Sequence, residues 1–323
     1  MPSYPSFSAR TPWIGPDLQT LRNVLRGPAL ELDPARTWER LVLPLEDGSG
    51  DRIAARLFEP SEPRPDGPLV ILVHGLGGSE ESGYMTTSAA HLLAGGWRVL
   101  QLNLRGAGPS RPTCRQQYHA GRTEDFRDAL AALPDSLKQN GVVAIGYSLG
   151  GNMILKYAAQ FEGLRGVVSV SAPIDLAAAS YRFLDARNKV YHAHLLRGMK
   201  AEALGEGAGV TDEERRILPT LRTILEFDER IVAPRGGFRD AADYYHQNSA
   251  QRFLDEIRIP GLIIHALDDP WIPNNAYTGR DWSRTPNLTP VLPSGGGHVG
   301  FHGRTGRAPH HDQCAVAFLE TLD

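Results

Sequence analysis

Short, mostly apolar runs recur along the chain, separated by longer mixed stretches. Pro68–Val73 reads PLVILV, Trp97–Leu102 reads WRVLQL, and Val142–Tyr147 reads VVAIGY. Gly166–Ser171, Gly261–Leu267 and Leu288–Leu292 follow in the same manner. Runs of this length suit strands buried on both faces. Glu39–Leu45 and Asp51–Phe58 precede them as two strands joined by a turn at Asp47–Gly50. Helical stretches are expected from about Thr123, where Glu124 and Asp125 suit a first turn, and over Leu149–Gln160 and Asp312–Leu322. Strands alternating with helices imply an α/β fold: a mostly parallel sheet covered on both faces, with the leading hairpin as an antiparallel edge.

The alternation divides the chain into an arm over residues 1–37, a core over 38–172, a helical insertion over 173–248 and the rest of the core over 249–323. The arm is rich in Pro and Arg and is expected to wrap the domain, with a short helix around Leu18–Leu25. Inside the insertion, Thr211 and Glu214 form a capping box pattern that opens a helix. Leu218, Leu221, Ile224 and Leu225 follow at helical spacing, with a break at Pro219, and Tyr191, Leu195 and Met199 mark another face. Simple packing accounts for most of these stripes. As a block, a helical insertion between sheet strands reads as a cap over an active site, because ligands bind at the carboxyl ends of such strands.

Composition changes this picture little. The 323 residues are 41% hydrophobic and 22% charged, ordinary for a soluble enzyme with a large core. A net charge of -3 excludes the basic face that a nucleic-acid partner would need, and the arginines read as a solvated surface. Cys114 and Cys314 stand alone, so a disulfide scaffold or a cysteine metal site is not expected. No leader and no membrane-spanning apolar run is visible, so the expectation is a soluble cytoplasmic protein needing no cofactor or metal. Its oligomeric state is left open.

The chemistry lies at Gly146-Tyr147-Ser148-Leu149-Gly150, a G-x-S-x-G pattern between a buried strand and a helix. A sharp strand-to-helix turn strains the serine backbone and needs small residues two before and two after it. Ser148 is the expected nucleophile. A serine hydroxyl needs a base, and in this fold acid and histidine follow the serine in chain order. The acid falls in Asp268-Asp269-Pro270-Trp271, where the motif context favours Asp269 and leaves Asp268 as a turn residue. The base falls in Gly295-Gly296-Gly297-His298, whose glycines let the imidazole of His298 reach both partners. Other histidines fit less well. His310 and His311 open the last helix and read as surface residues, and His265 lies inside a strand. Two backbone N–H groups should bind the oxyanion, one from Leu149 and one from Leu76 in the loop after Pro68–Val73. His74 reads as a brace for that loop.

These motifs together resemble the YheT-like branch of the α/β hydrolases. Asn103-Leu104-Arg105-Gly106, Gly146–Asn152 and Gly297-His298-Val299-Gly300-Phe301 carry the likeness. Asp17-Leu18-Gln19-Thr20 and Asp243-Tyr244-Tyr245 add to it. The resemblance implies the α/β-hydrolase fold, an esterase without a cofactor, and Ser148, Asp269 and His298 as its triad. The expectation is therefore a carboxylesterase acting on a small-molecule ester with a short to medium acyl chain. The chain-length expectation rests on the absence of an interfacial element. The same residues would serve an acyltransferase or thioesterase, and a scaffold that had lost catalysis would be a ligand-binding module.

Overall fold

The computed structural model describes residues 4–322. Eight strands form one sheet: β1 (Glu39–Pro44), β2 (Arg52–Phe58), β3 (Leu69–Val73), β4 (Val99–Leu102), β5 (Val142–Tyr147), β6 (Gly166–Val170), β7 (Gly261–Ile264) and β8 (Leu288–Val291). Their order is β1-β2-β4-β3-β5-β6-β7-β8. β1 pairs antiparallel with β2, and β2 with β4; every other pairing is parallel. This is the mixed, mostly parallel sheet expected from the run pattern.

Every residue of β3, β5, β6 and β7 is buried, which is why these strands read as continuous apolar runs. Alternate residues serve opposite faces. Leu69, Ile71 and Val73 join the core on one face, while Val70 and Leu72 join the core on the other.

The helices before β6 are α1 (Pro16–Arg26), α2 (Gly83–Ala94), α3 (Thr123–Ala132), α4 (Asp135–Lys138) and α5 (Leu149–Gln160). Between β6 and β7 lie α6 (Leu176–Arg182), α7 (Lys189–Ala203), α8 (Asp212–Ile217), α9 (Ile224–Phe227), α10 (Ala233–Gly236) and α11 (Ala241–Asn248). After β7 come α12 (Asn275–Thr278) and α13 (His310–Leu319). The α6–α11 block has its own apolar cluster, built around Leu196, Met199, Leu218, Leu221 and Phe227. Thr211 and Glu214 do form the capping box of α8. The stripe from Leu218 to Leu225 breaks at Pro219, as expected. α8 stops at Ile217, a single 3₁₀ turn carries Pro219, and Thr223 starts α9 with a second capping box.

α2 was not legible from the hydrophobic pattern. Its buried side includes Thr87 and Ser88 beside Met85 and Leu92, so small polar residues interrupt the apolar stripe.

Two sequence-based expectations fail. The arginines are not all solvated. Arg105 is fully buried and meets Asp47, Asp51 and Asp125, with Nη2 to Asp125 Oδ1 at 2.7 Å. That cluster pins the β1–β2 turn and α3 to the loop after β4. Taking one partner from a buried ion cluster leaves the others uncompensated. We therefore expect Arg105→Met to cost about 3–5 kcal/mol, measurable as a lowered denaturation midpoint. An unchanged midpoint would show that the three carboxylates rearrange at no cost. Secondly, His310 and His311 are not surface residues but buried at the start of α13. They pack against Phe301 and Tyr147, and the neighbouring Asp312 accepts from Ser88, whose hydroxyl also bonds that of Tyr147. Burial by this packing holds the His310 imidazole down at about 4, so it is neutral.

Candidate active site

Five strand ends converge on one point: the loops after β3, β5, β6, β7 and β8 all contribute. Ser148 follows β5 and caps α5 with φ 51 and ψ -122, a conformation that non-glycine residues rarely adopt. The turn closes because its flanks are glycine. A Cβ on Gly146 would lie 2.5 Å from Gly150 O, and one on Gly150 would lie 2.4 Å from His74 O. The Ser148 N–H is tied to Val170 O at 2.8 Å, so the strained backbone is held by the neighbouring strand.

The structure brings Ser148, His298 and Asp269 together. His298 Nε2 lies 3.0 Å from Ser148 Oγ, and Nδ1 lies 2.8 Å from Asp269 Oδ2. The other Asp269 oxygen, Oδ1, accepts from the N–H groups of Trp271 and Ile272 at 2.8 and 3.0 Å. Burial alone would raise the Asp269 carboxyl, but the facing His298 and these N–H donors hold it below its usual value. An ionised Asp269 fixes the proton of His298 on Nδ1 and leaves Nε2 free to accept from Ser148. The Trp271 ring stacks on the imidazole with centroids 4.3 Å apart, which restricts the ring to this plane.

Asp268 sits differently. Its Oδ1 accepts from Gly297 N–H at 2.9 Å, so it shapes the histidine loop without touching the imidazole. His265 is buried against Tyr277 with parallel rings 4.0 Å apart, and burial lowers it to about 4. It cannot compete as a base near neutrality in that position. His74 braces the loop after β3, as expected: Nε2 accepts from Leu104 N–H at 3.0 Å.

That loop lies directly against Ser148. A Cβ on Gly75 would come within 2.9 Å of Ser148 Cβ. Two tyrosine hydroxyls fix it on either side of Leu76. Tyr84 Oη accepts from Gly75 N–H at 3.0 Å, and Tyr118 Oη accepts from Gly77 N–H at 2.7 Å. Tyr118 in turn donates to Glu202 Oε2 on α7 at 3.2 Å. Neither tyrosine was singled out from the sequence; Tyr118 is far from Leu76 in the chain, and neither shows a local pattern.

The histidine loop is strained as well, with Val299 at φ 55 and Phe301 at φ 52. The arm holds it in place. Thr20 Oγ1 accepts from His298 N–H at 2.9 Å, and Gln19 Oε1 accepts from His302 N–H at 2.7 Å. Gln19 and Thr20 stand in the Asp17–Thr20 motif, which was visible in the sequence but carried no role there.

Above these groups is a cavity of about 1030 Å³. Its walls come mainly from α1, α6, α7, α9 and the segment after it, and are largely apolar: Leu76, Phe183, Leu195, Met199, Ile224 and Phe227 are among them. Asp228, Tyr245 and Ser180 form one polar patch in that wall, linked through the Tyr245 hydroxyl at 2.6 and 2.8 Å.

Comparison with known proteins gives this arrangement a family. Residues 68–209 match the family described as alpha/beta hydrolase fold. The chain is 35% identical over 275 residues to YheT of Escherichia coli (strain K12), covering 83% of this chain and 79% of that one. The chain belongs to the YheT-like α/β hydrolases. Monoacylglycerol lipase ABHD2 of Danio rerio is 28% identical over 280 residues, covering 81% of this chain and 64% of that protein. Among solved structures, an esterase of Pyrococcus furiosus superposes with a TM-score of 0.61 at 16% identity, covering 90% of this chain and 96% of its own. That likeness speaks for the fold. Membership in the YheT-like branch supports a hydrolase. Among the described residues, no helix is long and apolar enough to cross a membrane.

Proposed function

We propose that this YheT-like protein hydrolyses carboxylic esters through an acyl-enzyme on Ser148. One observation carries the reading: an unbroken set of hydrogen bonds runs from Asp269 through His298 to Ser148 at the floor of an apolar cavity. Ser148 Oγ attacks the ester carbonyl carbon while its proton passes to His298 Nε2. Negative charge gathers on the carbonyl oxygen, where the N–H groups of Leu149 and Leu76 receive it. The intermediate collapses, the alcohol leaves with the proton from His298, and the acyl group stays on Ser148. Water then attacks the acyl carbon, its proton going to His298. The acid departs as Ser148 regains its hydrogen.

A p-nitrophenyl ester ladder from acetate to laurate tests this. The cavity supports acyl chains of medium length, so kcat/KM should rise from acetate and peak within the ladder. No turnover of any ester by folded protein would overturn the reading. It would favour an acyltransferase, a thioesterase or a ligand-binding scaffold. The name of the ABHD2 relative adds a monoacylglycerol as one ester to include, followed as glycerol released. Cys114 and Cys314 are buried and unpaired, which supports work in the cytoplasm.

The Tyr118 hydroxyl should act through the oxyanion loop. In Tyr118→Phe the Gly77 N–H loses its acceptor and the loop loses its tie to α7. We expect kcat to fall about tenfold with KM within about twofold, less than the loss seen when an oxyanion donor itself is removed. A kcat equal to wild type would show that the loop needs no such tie.

A further inference from the structure

Helix α1 is built inside out. Its inward side is polar: Gln19 is buried and bonded to Trp13 O and His302, and Thr20 and Asn23 lie on the same side. Its outward side is apolar. Leu18, Leu21 and Leu25 recur at helical spacing, with Leu18 42% and Leu25 59% exposed. Val24, beside them, is 78% exposed. A surface helix normally turns its apolar stripe to the core. Contiguous exposed aliphatic side chains mark a surface that meets something.

The place and the charge of this face say what. Leu21 and Val24 line the cavity, as does Val190 of α7, which is 80% exposed, so the exposed stripe is the rim of the cavity mouth. Arg22 and Arg26 follow the stripe along one flank. Burial first, and then the nearby Arg10, Arg26 and Arg307, lower the pKa of Arg22. Among the described residues none of these four arginines has an acidic partner, and Arg10, Arg22 and Arg307 donate to the carbonyls of Gly306, Gly27 and Ala29. Asp17, the acid of α1, is already paired with Arg187 at 2.9 Å. An apolar stripe flanked by arginines without acidic partners is how a helix lies in an anionic lipid surface.

We propose that α1 is an interfacial helix that seats the cavity mouth on an anionic lipid surface. The aliphatic rim enters the acyl boundary, and the arginines meet the lipid phosphates. Delivery of a lipid ester from that surface into the cavity rests on the esterase reading; the docking does not. The proposal also reverses the expectation, drawn from the sequence, that no interfacial element is present.

The test is co-sedimentation of the full chain with vesicles of phosphatidylcholine alone and of phosphatidylcholine mixed with phosphatidylglycerol. Leu25→Glu and Arg26→Glu run beside wild type, since neither side chain lines the cavity or supports the histidine loop. Wild type should bind the mixed vesicles, bind plain phosphatidylcholine weakly, and lose binding as salt rises. Arg26→Glu should weaken binding roughly tenfold or more, given about fivefold per arginine at such a surface. Leu25→Glu should weaken it at least as much. Hydrolysis of a soluble p-nitrophenyl ester should be unchanged in both variants, which separates docking from catalysis. Absence of wild-type binding to mixed vesicles would overturn the proposal, as would full binding by both variants. So would a dimer in sedimentation velocity that Leu25→Glu breaks while wild type ignores vesicles. That last result would assign the stripe to a second copy of the chain.

Discussion

Replacing Ser148 by alanine is expected to lower ester turnover by about 10⁴–10⁶-fold, the range seen when a triad serine is removed. Among the described residues, Ser148 holds the one hydroxyl bonded to the His298 imidazole. The imidazole of His298 is held between Ser148 and Asp269, and the next serine along the strand ends, Ser171, points its hydroxyl at Val299 N–H. The fold should survive. Alanine keeps the Cβ, so the strain at φ 51 is unchanged. The protein loses one hydrogen bond to His298, worth about 1 kcal/mol. For a chain of this size that moves the melting temperature by no more than about 4 °C. A variant that retains a tenth of wild-type turnover would remove Ser148 from the mechanism.

The second large effect separates two neighbouring carboxylates. Asp269→Asn should lower kcat by about 10⁴-fold, as in other triads where the acid is made an amide. The reason is the tautomer. An amide NH₂ facing Nδ1 forces the imidazole proton onto Nε2, where it meets Ser148 and cannot accept. Asp268→Ala should lower kcat by only about tenfold and cost about 1 kcal/mol of stability. It removes a single acceptor for Gly297 N–H, a typical hydrogen-bond contribution. Stopped assays of both variants on one ester decide between them. If Asp268→Ala loses more activity than Asp269→Asn, the roles of the two acids are reversed.

The parts of this account that were legible in the sequence are those governed by local rules. β3 and β5 could be read because strands buried on both faces are apolar throughout. The Ser148 turn could be read because sterics require Gly146 and Gly150 around it. His298 and Asp269 followed from chain order and from the motif around them. What stayed hidden depends on contacts distant in the chain. Arg105 reads as a surface residue until the fold surrounds it with Asp47, Asp51 and Asp125. Tyr118 gives no sign that it holds the loop of Leu76, 41 positions from the Gly77 N–H it receives. His310 and His311 look solvated at the head of a helix until α13 is packed on the sheet. The outward face of α1 is a different case. A short helix was expected around Leu18–Leu25, but only the structure shows its leucines turned to solvent.

The central claim is that Ser148 is the nucleophile that carries the acyl group. Titration with a fluorophosphonate, followed by peptide mapping of the adduct, tests it most directly. The expected result is one phosphonyl group per chain, on the peptide holding Ser148, with hydrolysis lost in proportion to labelling and no label on Ser148→Ala. Label on any other residue, or ester turnover that persists once Ser148 is fully modified, would contradict the account.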